Sequence, residues 1–291
     1  MTNYRGFVIG YAAIPVSSVN ATITRNAIVE STMGSVGAPA IYGGVYSASG
    51  TLEAPYRTDV EPLIISLFGG PIADGVIDTS ASSILTNVTL ADQYGVGVTF
   101  ASATVTSMDL TMQVKDYCKT SFNYIGVKGV AGAVTAQPSY TNPVAIFYNA
   151  LLTVASTTVS AMGVTIHVER PIDTDYFVLG TEFLQGFNQS GPAVISGSLT
   201  LAPPEATLIT TAINLASTDT ITPSNSNANP IALGSLVLVL RNPAGTTDIR
   251  TITINSIVLS DLNISGTGME KFGKTINYQG IINESNNIKF T

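Results

Sequence analysis

One arrangement occurs twice in this chain and limits what it can fold into. Residues 45–70, VYSASGTLEAPYRTDVEPLIISLFGG, read as a strand that turns through Gly50 and leads into one short helix. Thr58 and Glu61 have capping-box spacing, Pro62 sits in the first turn where its missing N–H is harmless, and Gly69 supplies the stop. Between them Val60, Leu63, Ile64, Leu67 and Phe68 form one apolar helical stripe. Residues 193–217, AVISGSLTLAPPEATLITTAINLAS, repeat the order of strand, glycine, prolines, acidic residue and apolar helix. There the stripe is Leu208, Ile209, Ala212 and Ile213. Nearly everything else alternates like β-structure, so each half is expected to be a β-structure built round one helix.

Further landmarks recur in the same order. Gly34-Ser35 falls on Gly180-Thr181, Gly50-x-Leu52 on Gly197-x-Leu199, and Phe122-Asn123-Tyr124-x-Gly126 on Ile276-Asn277-Tyr278-x-Gly280. From Val98 to Gly126 the halves align without a gap, Val98-Thr99 onto Ile252-Thr253 and Ser102 onto Ser256. A tandem duplication explains an ordered set that drifts by only a few residues. The small, polar, Pro-bearing stretch AGAVTAQPSYTNP is the natural break. The expected division is 1–135 as one unit, 136–142 as linker and 143–291 as a second unit. The two are expected to superpose as separate β-sandwiches, with no sheet running through both. Each half has a long arm before its Gly-x-Leu strand, and STDTITPSNSNANP is a low-complexity polar loop.

Composition limits the function. Only 11% of residues are charged while 45% are hydrophobic, and mean hydropathy is +0.35. A soluble monomer normally carries about a quarter charged residues, so much of this surface is expected to lie against copies of itself. No apolar run is long enough for a spanning helix, and no membrane insertion is expected. The net charge of −7 is spread over both halves without a basic patch, which argues against tight binding to a nucleic-acid backbone. A negative wall past which nucleic acid slides remains compatible with it. A single cysteine, Cys118, leaves no internal disulfide framework. The N-terminal MTNYRGFVIGYAAIPV lacks an extended apolar stretch and cleavage site, so no secretory signal is read.

At these landmarks the chain resembles a known family. VTIHVERPIDTDYFVLGTEFLQG, followed by ISGSLTL and a short helix, is similar to the tail tube proteins of tailed viruses and contractile injection machines. The closing KTINYQGIIN is similar too, and the likeness covers nearly the whole chain, once per half. The first half departs from the pattern in its glycine-rich arm. The resemblance implies two tandem β-sandwich or half-barrel domains, mainly β, each with one short flanking α-helix. It further implies that six units form a ring, so that three two-unit chains suffice, and that rings stack round a lumen. Each helix is expected to bury its stripe against the β core and, as an assembly helix, to touch the neighbouring unit with its outer face. The arms, with Ser35, Ile41 and Tyr42 in the first and Phe183, Leu184 and Phe187 in the second, would reach the next ring.

No catalytic, cofactor-binding or metal site emerges. His167 is the only histidine, so no Ser-His-Asp or Cys-His set can be completed, and a zinc site is equally starved. Asp173 and Asp175 in a Pro-bearing turn are read as solvated turn carboxylates rather than ligands of a hard cation. Glycine-rich pieces such as GVKGVAG lack a phosphate-cradling pattern. The expected function is therefore structural: a virus tail tube subunit forming stacked trimeric, pseudo-hexameric rings for genome delivery. Its expected partners are itself, sheath, baseplate or terminator proteins, and DNA passing through without specific binding. Its expected place is the virion tail, after assembly in the host cytoplasm. Alternatives are a baseplate hub or tail adaptor ring of the same fold and, in another class, a β-sandwich surface filament or adhesin subunit.

Overall fold

A computed structural model describes residues 6–9, 12–30, 40–69, 72, 85–91, 96–133, 142–179, 181–203, 207–216, 232–265, 273–280 and 288–291. The first half comprises β1 (Gly6–Ile9), β2 (Ala12–Pro15), β3 (Ser18–Glu30), β4 (Ala40–Pro55), α1 (Glu61–Phe68), β5 (Leu85–Ala91), β6 (Val96–Gln113), β7 (Lys119–Gly126) and β8 (Gly129–Ala133). The second comprises β9 (Leu151–Val154), β10 (Thr157–Thr158), β11 (Ala161–Glu169), β12 (Val194–Leu201), α2 (Thr207–Ala216), β13 (Ala232–Arg241), β14 (Asp248–Ser265), β15 (Gly273–Gly280) and β16 (Ile288–Phe290). The protein is mainly β, with one short α-helix in each half among the described residues.

The pairing follows one scheme in both halves. In the first, β4 lies between β3 and β7, and β7 continues onto β6. In the second, β12 lies between β11 and β15, and β15 continues onto β14. The registers correspond residue for residue. Ala21 faces Gly50 and Gly50 faces Tyr124; Ile166 faces Gly197 and Gly197 faces Tyr278. The long strands β6 and β14 each have 18 residues, and each shifts register against its partner at a matching place, between Val105 and Ser107 and between Leu259 and Asp261. Such bulges bend a strand. Before the bend, β6 pairs with β5 and β8, as β14 pairs with β13 and β16.

At Gly50 and Gly197 a side chain has no room. A Cβ would sit 2.1 Å from the carbonyl oxygen of Asn20 or Thr165. The Tyr124 hydroxyl donates to the Asn20 carbonyl and the Tyr278 hydroxyl to that of Thr165, each at 2.9 Å. Each tyrosine thus lies across a glycine and ties together three strands. Burial pushes both phenol pKa values up, keeping the hydroxyls protonated as donors.

The expected separation into two sandwiches is not what the fold does. After its bend, β6 pairs antiparallel with β11 from Gly163 opposite Gln113 to Glu169 opposite Ser107, so one sheet runs through both halves. The core is likewise contiguous, from Leu52 and Phe122 through Ile166 and Leu199 to Ile276 and Phe290. Joining the strands satisfies an edge of β6 that would otherwise carry unpaired N–H and C=O groups. Residues 134–141, most of the expected linker, lie outside the described residues.

The helices cover this core. Leu63, Ile64, Leu67 and Phe68 of α1 are buried where the helix packs over β6, and α2 packs likewise over β14. Gly69 ends α1 in the left-handed conformation at φ 80°, and its N–H donates to the Ile65 carbonyl. The expected capping box is not made. A single 3-10 turn over Thr58–Val60 precedes α1, with no side-chain cap on either. Glu61 instead turns its carboxylate to Arg250 of β14, accepting from Nε at 2.6 Å and Nη2 at 2.7 Å. A bidentate guanidinium outcompetes a backbone amide for a carboxylate. Phe68 meets Phe290 edge-on, centroids 5.8 Å apart, again joining the halves.

Candidate assembly surface: a polar sheet face, two open edges and an arm

Strand alternation puts aliphatic side chains on one face of the central sheet and small polar ones on the other. Tracing the registers across β4, β7, β6, β11, β12 and β15 gives the row Glu53, Ser121, Asp109, His167, Ser196, Gln279. A second row from β7 to β14 reads Lys119, Thr111, Thr165, Ser198, Asn277, Asp261. These side chains bond one another along the face. Asn123 Nδ2 donates to Ser107 Oγ at 2.7 Å, the Thr165 and Ser198 hydroxyls are 2.9 Å apart, and His167 Nδ1 lies 2.7 Å from Asp109 Oδ1. The face carries no aromatic residue in either row, and its carboxylates outnumber its cations. Sequence reasoning did not find it. Its signal was the period-2 placement of Ser, Thr and Asn opposite buried aliphatics, which becomes a surface only once strand order is known.

His167 is thus one partner in a cross-strand contact on the β6–β11 joint, with Glu169 3.6 Å from its other nitrogen. Cys118 is fully buried, its thiol pKa pushed up by desolvation. Asp173 accepts from the Asp175 amide at 2.8 Å in a local turn. Among the described residues no group of three His, Cys, Asp or Glu could hold a metal, and no described helix is long and apolar enough to cross a membrane.

Several described strands, β2, β8, β10 and β16 among them, have a partner on one side only, and two further open edges belong to the strands that correspond to the two sides of the β6–β11 joint. β3 pairs only with β4, leaving its other side open along Ser18–Arg25. Past its bend, Asp261–Ser265 of β14 pairs with β15 alone, because β13 and β16 pair only with earlier residues. Both edges carry exposed aliphatic side chains, Ile23 at 40% and Ile264 at 49%.

The stripe residues of the two expected assembly helices are core residues within this chain. Val60, Leu63, Ile64, Leu67, Phe68, Leu208, Ile209 and Ala212 are all buried; the Ile213 side chain lies outside the described residues. The second arm folds onto the first half. Leu184 and Phe187 are buried with Ile172 against Ile125, Val127 and Phe177, and Phe183 stacks at a tilt on Tyr46 with centroids 5.6 Å apart. Lys128 Nζ sits 5.0 Å over the Phe183 ring, Glu182 pairs with Arg25, and the Glu182 carbonyl accepts from the Tyr46 amide at 2.8 Å. The arm keeps Tyr176, Val178 and Leu179 exposed. In the first arm Ile41 and Tyr42 pair with Val29 and Ile28 in the β3–β4 hairpin, while Ser35 lies outside the described residues.

A family model described as phage tail tube protein matches residues 63–268, from inside α1 to just past β14. The chain belongs to the phage tail tube protein family. This tail tube protein is structural rather than an enzyme, and the family places it in the virion tail. The matched span contains the β6–β11 joint and both bends. A search of curated proteins returned no match.

Proposed function

We propose that this tail tube protein is a double unit. Three chains close into a pseudo-sixfold ring, and rings stack round a lumen through which genome passes. The division into units at about 1–135 and 143–291 belongs to this reading. The observation that carries it is the repeated register: β3–β4–β7–β6 and β11–β12–β15–β14 share glycine, tyrosine and bulge at matching positions. Two such units in one chain are related as neighbours in a ring, and three chains supply six.

The polar face is proposed as the lumen wall. Hydroxyls and amides occupied with one another have little capacity left to grip a passing polyanion, and Glu53, Asp109, Glu169 and Asp261 repel phosphate. The exposed apolar tip of the second arm at Tyr176, Val178 and Leu179 is proposed to meet the next ring, with Phe183, Leu184 and Phe187 anchoring the arm's base. Sheath, baseplate and terminator proteins would meet the outer surface and ends, after assembly in the host cytoplasm.

Electron microscopy of the purified, concentrated chain tests this. Hollow tubes built of stacked rings are expected. Rings that never stack would assign the chain to a hub or adaptor, and a compact monomer at every concentration would remove the reading.

A further inference from the structure

We propose that the seam between chains is the β14 edge of one copy paired antiparallel with the β3 edge of the next, in a definite register: Asp261 opposite Thr24, Leu262 opposite Ile23, Asn263 opposite Thr22, Ile264 opposite Ala21 and Ser265 opposite Asn20. The inference rests on the double-unit reading, and the occupant is a second copy of this chain.

The argument transfers one joint onto another. Within the chain, β6 pairs with β11 so that Ser107 faces Glu169, Met108 faces Val168, Asp109 faces His167, Leu110 faces Ile166 and Thr111 faces Thr165. Strand pairing alone gives each equivalent. Gly50 corresponds to Gly197, so Ala21 stands where Ile166 stands. Asn123 and Asn277 correspond, so Asp261 stands where Ser107 stands, with the matched bulge just before each. Replacing each residue of the internal joint by its equivalent gives the proposed register without adjustable choice.

The side chains fit that register on both faces. On the core side, Met108, Leu110, Ile166 and Val168 are buried in the internal joint. Their equivalents Leu262, Ile264, Ala21 and Ile23 are apolar, yet Ile264 and Ile23 are left exposed in the single chain. A partner strand would bury them as the internal joint buries its own set. On the polar side, Thr22 meets Asn263, two neutral groups that can exchange hydrogen bonds. Thr24 brings a hydroxyl donor to the Asp261 carboxylate. No like charges face each other, and open N–H and C=O groups on both edges find partners.

The test uses full-length chains carrying one new cysteine each, so that every cross-link is between copies. Thr22 and Asn263 are both exposed, so cysteine is tolerated there. Cys118, fully buried, remains as an inert background thiol. Under mild oxidation a mixture of T22C and N263C chains should yield about tenfold more disulfide dimer than T22C mixed with D261C, because a two-residue offset holds the Cα atoms too far apart for a disulfide. I23D should stay folded, with a single cooperative melt as a monomer, and fail to assemble. Rings that form without the in-register cross-link, or that link the offset pair as well, overturn the seam and leave the double-unit reading standing. A wild-type chain that never associates overturns both.

Discussion

The two halves of this chain agree where strands pair and disagree in their arms. Tyr124 over Gly50 and Tyr278 over Gly197 are nearly the same construction, down to the 2.9 Å bond each hydroxyl donates. The arms differ where they are described. In the first half the strands before and after the arm run on as a hairpin, Glu30 opposite Ala40. In the second, residues 170–192 leave the sheet and settle on the first half through Glu182, Phe183, Leu184 and Phe187. A surface that joins in the same way at every position round a ring must keep its register in both units. An arm must fit only what lies beneath it. The second arm's support belongs to its own chain, in the β3–β4 hairpin through Arg25 and Tyr46.

The largest effects should come from the helices and should be paired. Leu63→Ala should cost ~2–5 kcal/mol, since Leu63 is almost wholly buried under α1. Leu208→Ala, at a site slightly more open, should fall at the low end of that range. Denaturant melts measure both. A null effect at either position would mean that one helix lies off the core and that the halves are not alike.

Next come the glycines. Gly50→Ala and Gly197→Ala should each cost ~1–3 kcal/mol or more, because the added carbon meets a backbone oxygen that cannot turn aside. Tyr124→Phe and Tyr278→Phe should each cost about 0.5–1.5 kcal/mol for the lost hydrogen bond. Equal losses in the two halves sharpen the comparison; a large loss in one alone breaks it.

A titration should separate the halves by the smallest margin. Lys119 opens β7, where the register places Gly273 in β15. Its ammonium bonds Asp116 and holds that carboxyl below its ordinary value of 3.8. A depressed carboxyl contributes its stability above the ordinary value and loses it as pH falls through the lowered one. Both groups are exposed, so the effect on melting should be slight. Carboxyl NMR shifts should place the Asp116 titration below its ordinary value of 3.8 and return it there in Lys119→Ala.

Much of this was legible from residues alone. The α1 stripe, the Gly69 stop and the recurrence of Gly50 and Gly197 follow from local spacing, and the structure keeps them. Two features were not legible. The β6–β11 joint lies across the supposed linker, and nothing in SMDLTMQ distinguishes an open edge from one filled by another strand of the same chain. Glu61 looked like a cap because Thr58 stands three residues before it, yet its partner Arg250 comes from β14, far along the chain. Local pattern encodes which face of a strand is buried. It does not encode which strand comes to lie beside it, and both the single core and the polar face depend on that.

The most direct test of the central claim is the number of chains in one ring, obtained by native mass spectrometry of rings released from tubes. Three copies of the 30.2 kDa chain are expected, with threefold symmetry and a sixfold pattern at low resolution. Rings of six chains would contradict the account, because each chain would then supply one position rather than two.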